Sequence, residues 1–148
     1  MNRDEFYART MHTPDDPVRA ARRSTLREIS RLLLPLHRSL IEAARGDFAF
    51  AYQPVEKPSH LLQLLNEHPF FAWLKPMTSL IVDIDEMSRT DFEPVQYEEI
   101  VKRVESLVGN GANAGFTAHY VPMLQRDVDV AIAHAALRQA LGRRSNDR

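Results

Sequence analysis

Cysteine is absent from this chain of 148 residues, which removes several kinds of chemistry from consideration. Without thiols the protein forms no disulfide, offers no thiolate nucleophile and builds no cysteine-ligated metal site. A chain without cysteine is compatible with a reducing compartment. The polar N-terminus also lacks the apolar run that a signal peptide carries. We therefore expect a cytoplasmic protein.

Long apolar runs and an excess of charge of one sign are also missing. No apolar segment approaches the roughly 20 residues that a membrane-spanning helix needs. The formal net charge is −1, so the molecule as a whole attracts neither nucleic acid nor anionic membranes strongly. We expect a soluble protein with no membrane contact, and nucleic acid is a disfavoured partner.

The remaining composition is ordinary, with 44% hydrophobic and 26% charged residues. These values are typical of a globular domain, and the length suits one hydrophobic core. We predict a flexible N-terminal segment over residues 1–16, a single helical-bundle domain over 17–142 and a disordered tail over 143–148.

The first long segment carries apolar residues at intervals of three and four, which is the period of a helix with one buried face. Asp16 and Pro17 are suited to the N-cap and the first helical position. Gly46 predicts the end of the helix. Pro35 predicts a kink, with two shorter helices as the alternative. The apolar positions are Leu26, Ile29, Leu33, Leu36, Leu40 and Ala44.

The stretch from Phe70 to Met87 contains the only tryptophan, Trp73, and a dense run of aliphatic side chains. From Leu74 onward its apolar residues fall within an arc of roughly 140° on a helical wheel. We predict that this stretch forms the centre of the fold and that Trp73 is largely buried.

Three further helices are predicted. One opens at Pro58 and ends before Pro69, and one covers Pro94 to Val108. The last begins at Phe116 or Pro122 and ends at Leu141. Residues 47–57 alternate between apolar and polar, and we interpret them as an extended connector, with a strand as the alternative. Together these elements predict an all-α, compact bundle of four to five helices.

Two carboxylates follow an apolar run at Asp83-Ile84-Asp85. An apolar run that ends in Asp-x-Asp resembles the first motif of the haloacid dehalogenase-type phosphohydrolases. The resemblance implies Asp83 as a nucleophile, Asp85 as an acid or base, and a Mg²⁺ ion nearby. It also implies a preceding parallel strand and small residues afterwards, whereas Glu86-Met87-Ser88 follow here. A metal-dependent phosphohydrolase acting through Asp83 therefore ranks below the two functions described next, an internal ligand or metal site near His134 and a protein-binding module.

Histidine is the other residue that suggests a site. His134 shares a helical face with Asp127, about two turns earlier, and the two are candidate ligands of a metal or of an internal ligand site. Neither Glu-x-x-His nor His-Glu-x-x-His occurs in the chain. We interpret His134 as a packing histidine and expect no cofactor and no metal.

Five arginines in the first helix form the strongest candidate for a binding face. They fall within an arc of about 80° if the helix is straight. They form a solvated face, or they pair with the acidic segment from Asp83 to Glu105, or they dock an acidic protein partner through bidentate bonds to carboxylates. We expect a non-enzymatic helical module that binds a protein partner or self-associates, with a regulatory role left open. The five residues are Arg23, Arg27, Arg31, Arg38 and Arg45.

Overall fold

The computed structural model describes residues 14–146, and within this range the protein is all-α, as predicted, with no strand. The predicted number of four to five helices was too low, because the described residues form six α-helices. A 3-10 helix, Pro69–Leu74, precedes the third of them, and a π-helical turn, Ser106–Asn110, follows the fourth. The α-helices are α1 (Pro17–Ala51), α2 (Pro58–Glu67), α3 (Lys75–Met87), α4 (Pro94–Glu105), α5 (Ala114–Arg126) and α6 (Val128–Asn146).

Helix α1 begins where the sequence predicts, because the Asp16 carboxylate accepts a hydrogen bond from the Arg19 backbone N–H at 2.7 Å. The helix then continues through Pro35 without interruption. The prediction of a kink or of two shorter helices at Pro35 was therefore wrong. Pro35 is exposed, so its ring lies on the solvent side of the helix and the hydrogen bond that its missing N–H removes lies away from the core.

The end of α1 also differs from the prediction. The helix passes through Gly46 and includes residues 47–51, which we had assigned to a connector. Phe48 explains the extension, because it is 3% exposed and occupies the next position of the buried stripe. Phe50 and Tyr52 are 97% and 63% exposed, and the Tyr52 ring packs against that of Phe48 at 4.9 Å between centroids.

Helix α1 is the centre of the bundle and packs mainly against α6 and α3. The stretch from Phe70 to Met87, which we predicted to be central, spans the 3-10 helix and α3 and packs against α1, α2, α4 and α5, and α3 buries Met77, Leu80 and Ile84. Trp73 is only half-buried, and its ring stacks on His119 at 5.0 Å between centroids. The largest fully buried side chains of the core are Phe71, Phe116, Leu26, Leu33, Leu36, Leu40, Met77, Leu80, Ile84, Leu137, Val101 and Val104.

The predicted last helix is in fact two helices, α5 and α6, which meet at Asp127. Asp127 is in an extended conformation, and its carboxylate accepts a hydrogen bond from the Val130 backbone N–H at 3.0 Å. An aspartate in this position caps the following helix. The capping preference of Asp127 therefore divides the predicted last helix into two, although the apolar pattern of that segment is continuous.

Helix α6 continues past Gly142, so residues 143–146 are helical instead of belonging to the predicted tail. Arg143 and Arg144 form ion pairs at 3.0 Å with Glu28 and Glu105, respectively. Residues 1–13 of the predicted flexible segment and residues 147–148 of the predicted tail lie outside the described residues. Across residues 14–146, no helix combines the length and the apolar character needed to cross a membrane.

Candidate functional site

The structure separates the five predicted arginines into two groups. Arg27, Arg31 and Arg38 are exposed on α1. Arg45 is partly exposed, and its Nε donates a hydrogen bond to the Val55 carbonyl at 2.8 Å. Of the five, only Arg27, Arg31 and Arg38 present a guanidinium group that makes no hydrogen bond or ion pair within the described part of the chain.

Arg23 lies inside the protein instead of on the predicted docking face, with 5% of its surface exposed. Its Nε and Nη2 atoms donate to the Asp15 carboxylate at 2.7 and 2.9 Å. Its Nη1 atom donates to the carbonyl oxygens of Ser88 and Thr90 at 2.8 and 2.9 Å. The hydrogen bond to Asp15 raises the pKa of Arg23, although burial acts in the opposite direction. Arg23 therefore connects α1 to the end of α3 and is not available to a partner.

A cleft of about 520 Å³ lies between α1 and the end of α3. We call it the Arg27 cleft. Helix α1 contributes two exposed arginines one turn apart, together with two serines, and the end of α3 contributes the opposite wall. The lining residues are Ser24, Arg27, Ser30, Arg31, Asp85, Ser88 and Arg89.

The charges in the Arg27 cleft are only partly neutralised. Asp85 and Arg89 form an ion pair at 2.9 Å along the surface. Arg27 and Arg31 form no hydrogen bond or ion pair with any residue in the range 14–146. The cleft therefore holds two adjacent positive charges without a negative partner in the described part of the chain.

A second cleft, of about 640 Å³, lies between α5 and the 3-10 helix and is lined in part by Trp73 and His119. Its charged groups are already paired, because Arg126 donates two hydrogen bonds to the Asp47 carboxylate, one of them at 2.9 Å. This hydrogen bond raises the pKa of Arg126. The second cleft thus lacks the uncompensated charge that distinguishes the Arg27 cleft.

The two candidate metal ligands do not meet. Asp127 caps α6, and His134 bonds through Nδ1 to the Tyr120 hydroxyl at 2.7 Å. Burial lowers the pKa of His134, and the charge of Arg138 lowers it further. Burial raises the pKa of Tyr120, whose hydroxyl therefore stays protonated at neutral pH. Among residues 14–146 there is no group of three or more histidines and carboxylates that could hold a metal ion.

The two carboxylates of the Asp-x-Asp motif lie on helix α3 instead of at the end of a strand. Asp83 pairs with Arg103 of α4 at 2.9 Å, and Asp85 pairs with Arg89. Two of the carboxylates in the acidic segment are thus paired with basic residues of the same segment. The parallel strand that the phosphohydrolase resemblance implies does not occur within residues 14–146.

Sequence reasoning found Arg27 and Arg31 but missed the other residues of the cleft. Ser24 could have been predicted from the sequence, because it precedes Arg27 by three residues and so shares its helical face. Asp85 and Arg89 could not have been predicted, since only the packing of α3 on α1 brings them to the cleft.

These observations define the protein as an all-α bundle with a partly uncompensated basic cleft on its central helix. No family model, no curated protein and no solved structure matches the chain.

Proposed function

We propose that the protein is a non-enzymatic binding module that docks an acidic segment of a protein partner in the Arg27 cleft. The observation that carries this proposal is the pair Arg27 and Arg31, exposed one turn apart and without a negative partner among the described residues. Guanidinium groups bind carboxylates through two parallel hydrogen bonds. A carboxylate-rich segment would neutralise both charges at once.

Leu34 favours a protein partner. This side chain is 47% exposed, and its position on α1 lies about 20° from that of Arg27 on a helical wheel, at the edge of the face that Arg27, Arg31 and Arg38 form. An apolar side chain among arginines is typical of protein interfaces, where arginine is enriched. Arg38 extends the basic face beyond the cleft and would contact the same partner.

Self-association is the alternative, and the charge of this face disfavours it. In a two-fold symmetric dimer the same patch lies on both sides of the interface. If Arg27 and Arg31 lay close to the two-fold axis, they would meet the same arginines of the second copy, with like charges in contact. An acidic patch on another protein avoids this repulsion.

A capture experiment with charge-reversal variants tests the proposal. The test variant carries Arg27→Glu, Arg31→Glu and Arg38→Glu, and the matched control carries Lys57→Glu, Lys75→Glu and Lys102→Glu. All six side chains are exposed, and both variants change the net charge equally. Circular dichroism establishes that each variant is folded before capture from cell extract, with partners identified by mass spectrometry.

We expect an acidic partner that the wild type and the lysine control capture and that the arginine variant loses. Capture should weaken as salt is raised, because exposed ion pairs are screened. The proposal is contradicted if the folded arginine variant captures the same proteins as the wild type, or if both variants lose them equally.

A further inference from the structure

We infer that the Arg27 cleft receives a phosphorylated side chain of the acidic partner. This inference rests on the proposed function and specifies the chemistry of the group that enters the cleft. The remaining acidic residues of the partner would contact Arg38 and the outer part of α1.

The charge of the cleft matches a phosphate monoester better than a single carboxylate. The ion pair between Asp85 and Arg89 is neutral as a unit, so Arg27 and Arg31 leave two positive charges. A phosphorylated side chain carries about −1.5 to −2 charges at pH 7, whereas a carboxylate carries one. Only the phosphate group neutralises both arginines with a single side chain.

The hydrogen-bond donors of the cleft also fit a group with three terminal oxygens. Ser24 and Ser30 line the cleft beside the arginines, and their side chains form no hydrogen bond with a described residue. Each hydroxyl can donate one hydrogen bond, and each guanidinium group can donate several. Two hydroxyls and two guanidinium groups exceed what one carboxylate can accept but suit the oxygens of a phosphate.

The opposite wall of the cleft is held in place before any ligand binds. Ser88 is 8% exposed, and its hydroxyl donates to the Asp85 carbonyl at 2.7 Å. The Ser88 carbonyl in turn accepts the hydrogen bond from buried Arg23. A site whose walls are fixed in advance loses less conformational entropy when the ligand binds.

Three short peptides test this inference. They share the sequence Gly-Gly-X-Gly-Gly, with X as phosphoserine, glutamate or serine, and they are titrated into ¹⁵N-labelled protein while amide NMR shifts are recorded. The variant is Arg27→Gln with Arg31→Gln. The matched control is Lys57→Gln with Lys75→Gln, which removes two exposed charges that do not line the cleft. Inorganic phosphate and phosphatidic acid vesicles serve as separate probes.

We expect the phosphoserine peptide to shift the amide signals of residues 24–31 and 85–89 and to bind at least about 10-fold more tightly than the glutamate peptide. The arginine double variant should abolish these shifts, and the lysine control should retain them. Inorganic phosphate should shift the same signals more weakly, because it lacks the peptide.

Equal binding of the glutamate and phosphoserine peptides would overturn this inference while leaving the docking of an acidic partner intact. Binding of the phosphoserine peptide that survives in the arginine double variant would also overturn it. Vesicle binding that depends on Arg27 and Arg31, without binding of the phosphoserine peptide, would replace the phosphoprotein with a lipid surface. Failure of the docking proposal is recognised separately, by a capture pattern that the arginine reversals leave unchanged.

Discussion

Buried Arg23 donates a hydrogen bond from Nη1 to the carbonyl oxygen of Ser88 at 2.8 Å and thereby ties the first turns of α1 to the end of α3. The same guanidinium group lies over the Phe92 ring, 5.2 Å from its centroid. Arg23 thus holds together the two helices that form the Arg27 cleft, while Arg27 and Arg31 on the same helix stay exposed.

Replacing Arg23 by alanine should lower the free energy of unfolding by about 3 kcal/mol. The change leaves the Ser88 carbonyl without its charged donor and removes one of the ion-pair partners of Asp15, and both losses are costly in a buried setting. Arg27→Ala is the matched control and should change stability by less than about 0.5 kcal/mol, because Arg27 is exposed. Urea unfolding followed by circular dichroism measures both. Equal effects of the two changes would show that Arg23 is not a structural arginine.

Phenylalanines at opposite extremes of burial provide a second test. Phe71 is 0% exposed and Phe50 is 97% exposed. Phe71→Ala should cost about 3–5 kcal/mol through the cavity it creates. Phe50→Ala should leave stability within about 0.5 kcal/mol of the wild type. A large loss at Phe50 in the same urea experiment would mean that its ring is covered in solution.

Replacing glycine by alanine at two positions with different backbone conformations should change the stability of the protein in opposite directions. Gly46 lies inside α1, and a β-carbon added there meets no atom within 4 Å. Gly46→Ala should therefore stabilise the protein by about 0.5–1 kcal/mol through helix propensity. Gly111 has φ +71°, so Gly111→Ala should destabilise by about 1–2 kcal/mol. Thermal unfolding detects both shifts, and a loss of stability in Gly46→Ala would contradict the continuous α1.

The stability of the protein should fall as the pH drops below about 6.5, the ordinary pKa of histidine in an unfolded chain. Burial lowers the pKa of His134, and burial also lowers that of His37. The unfolded chain therefore binds these protons more readily than the folded protein, and protonation favours unfolding. The free energy of unfolding, measured between about pH 7.5 and pH 5, should decline less steeply in His134→Gln. Identical slopes in variant and wild type would contradict the assignment to His134.

Helical periodicity predicted the fold class and most of the buried stripe, because the spacing of apolar residues reports directly on burial. The prediction that Arg23 belongs to the exposed arginine face was wrong, because a charged side chain suggests a surface position. Arg23 precedes Leu26 by three residues and therefore continues the spacing of the buried stripe. Pro35 and Gly46 were misread as breaks because tertiary packing along α1 overrides local preferences.

The α1 side of the Arg27 cleft could be predicted from helical geometry, since Ser24, Arg27 and Arg31 share one face. Its other side could not. Asp85 and Arg89 reach the cleft only because α3 packs against α1, and that contact joins residues far apart in the chain, as the hydrogen bond from Arg23 to Ser88, 65 positions later, illustrates. Spacing within one helix carries no information about such pairs.

The most direct test of the account is the affinity of a fluorescent hexaglutamate peptide, measured by anisotropy at low salt, for the wild type and for two variants. Arg27→Ala with Arg31→Ala should weaken binding at least 10-fold, which corresponds to about 1.4 kcal/mol. Lys57→Ala with Lys75→Ala, which removes two exposed charges elsewhere, should weaken it far less. Equal affinity of the wild type and the arginine variant would contradict the assignment of the Arg27 cleft as the binding site.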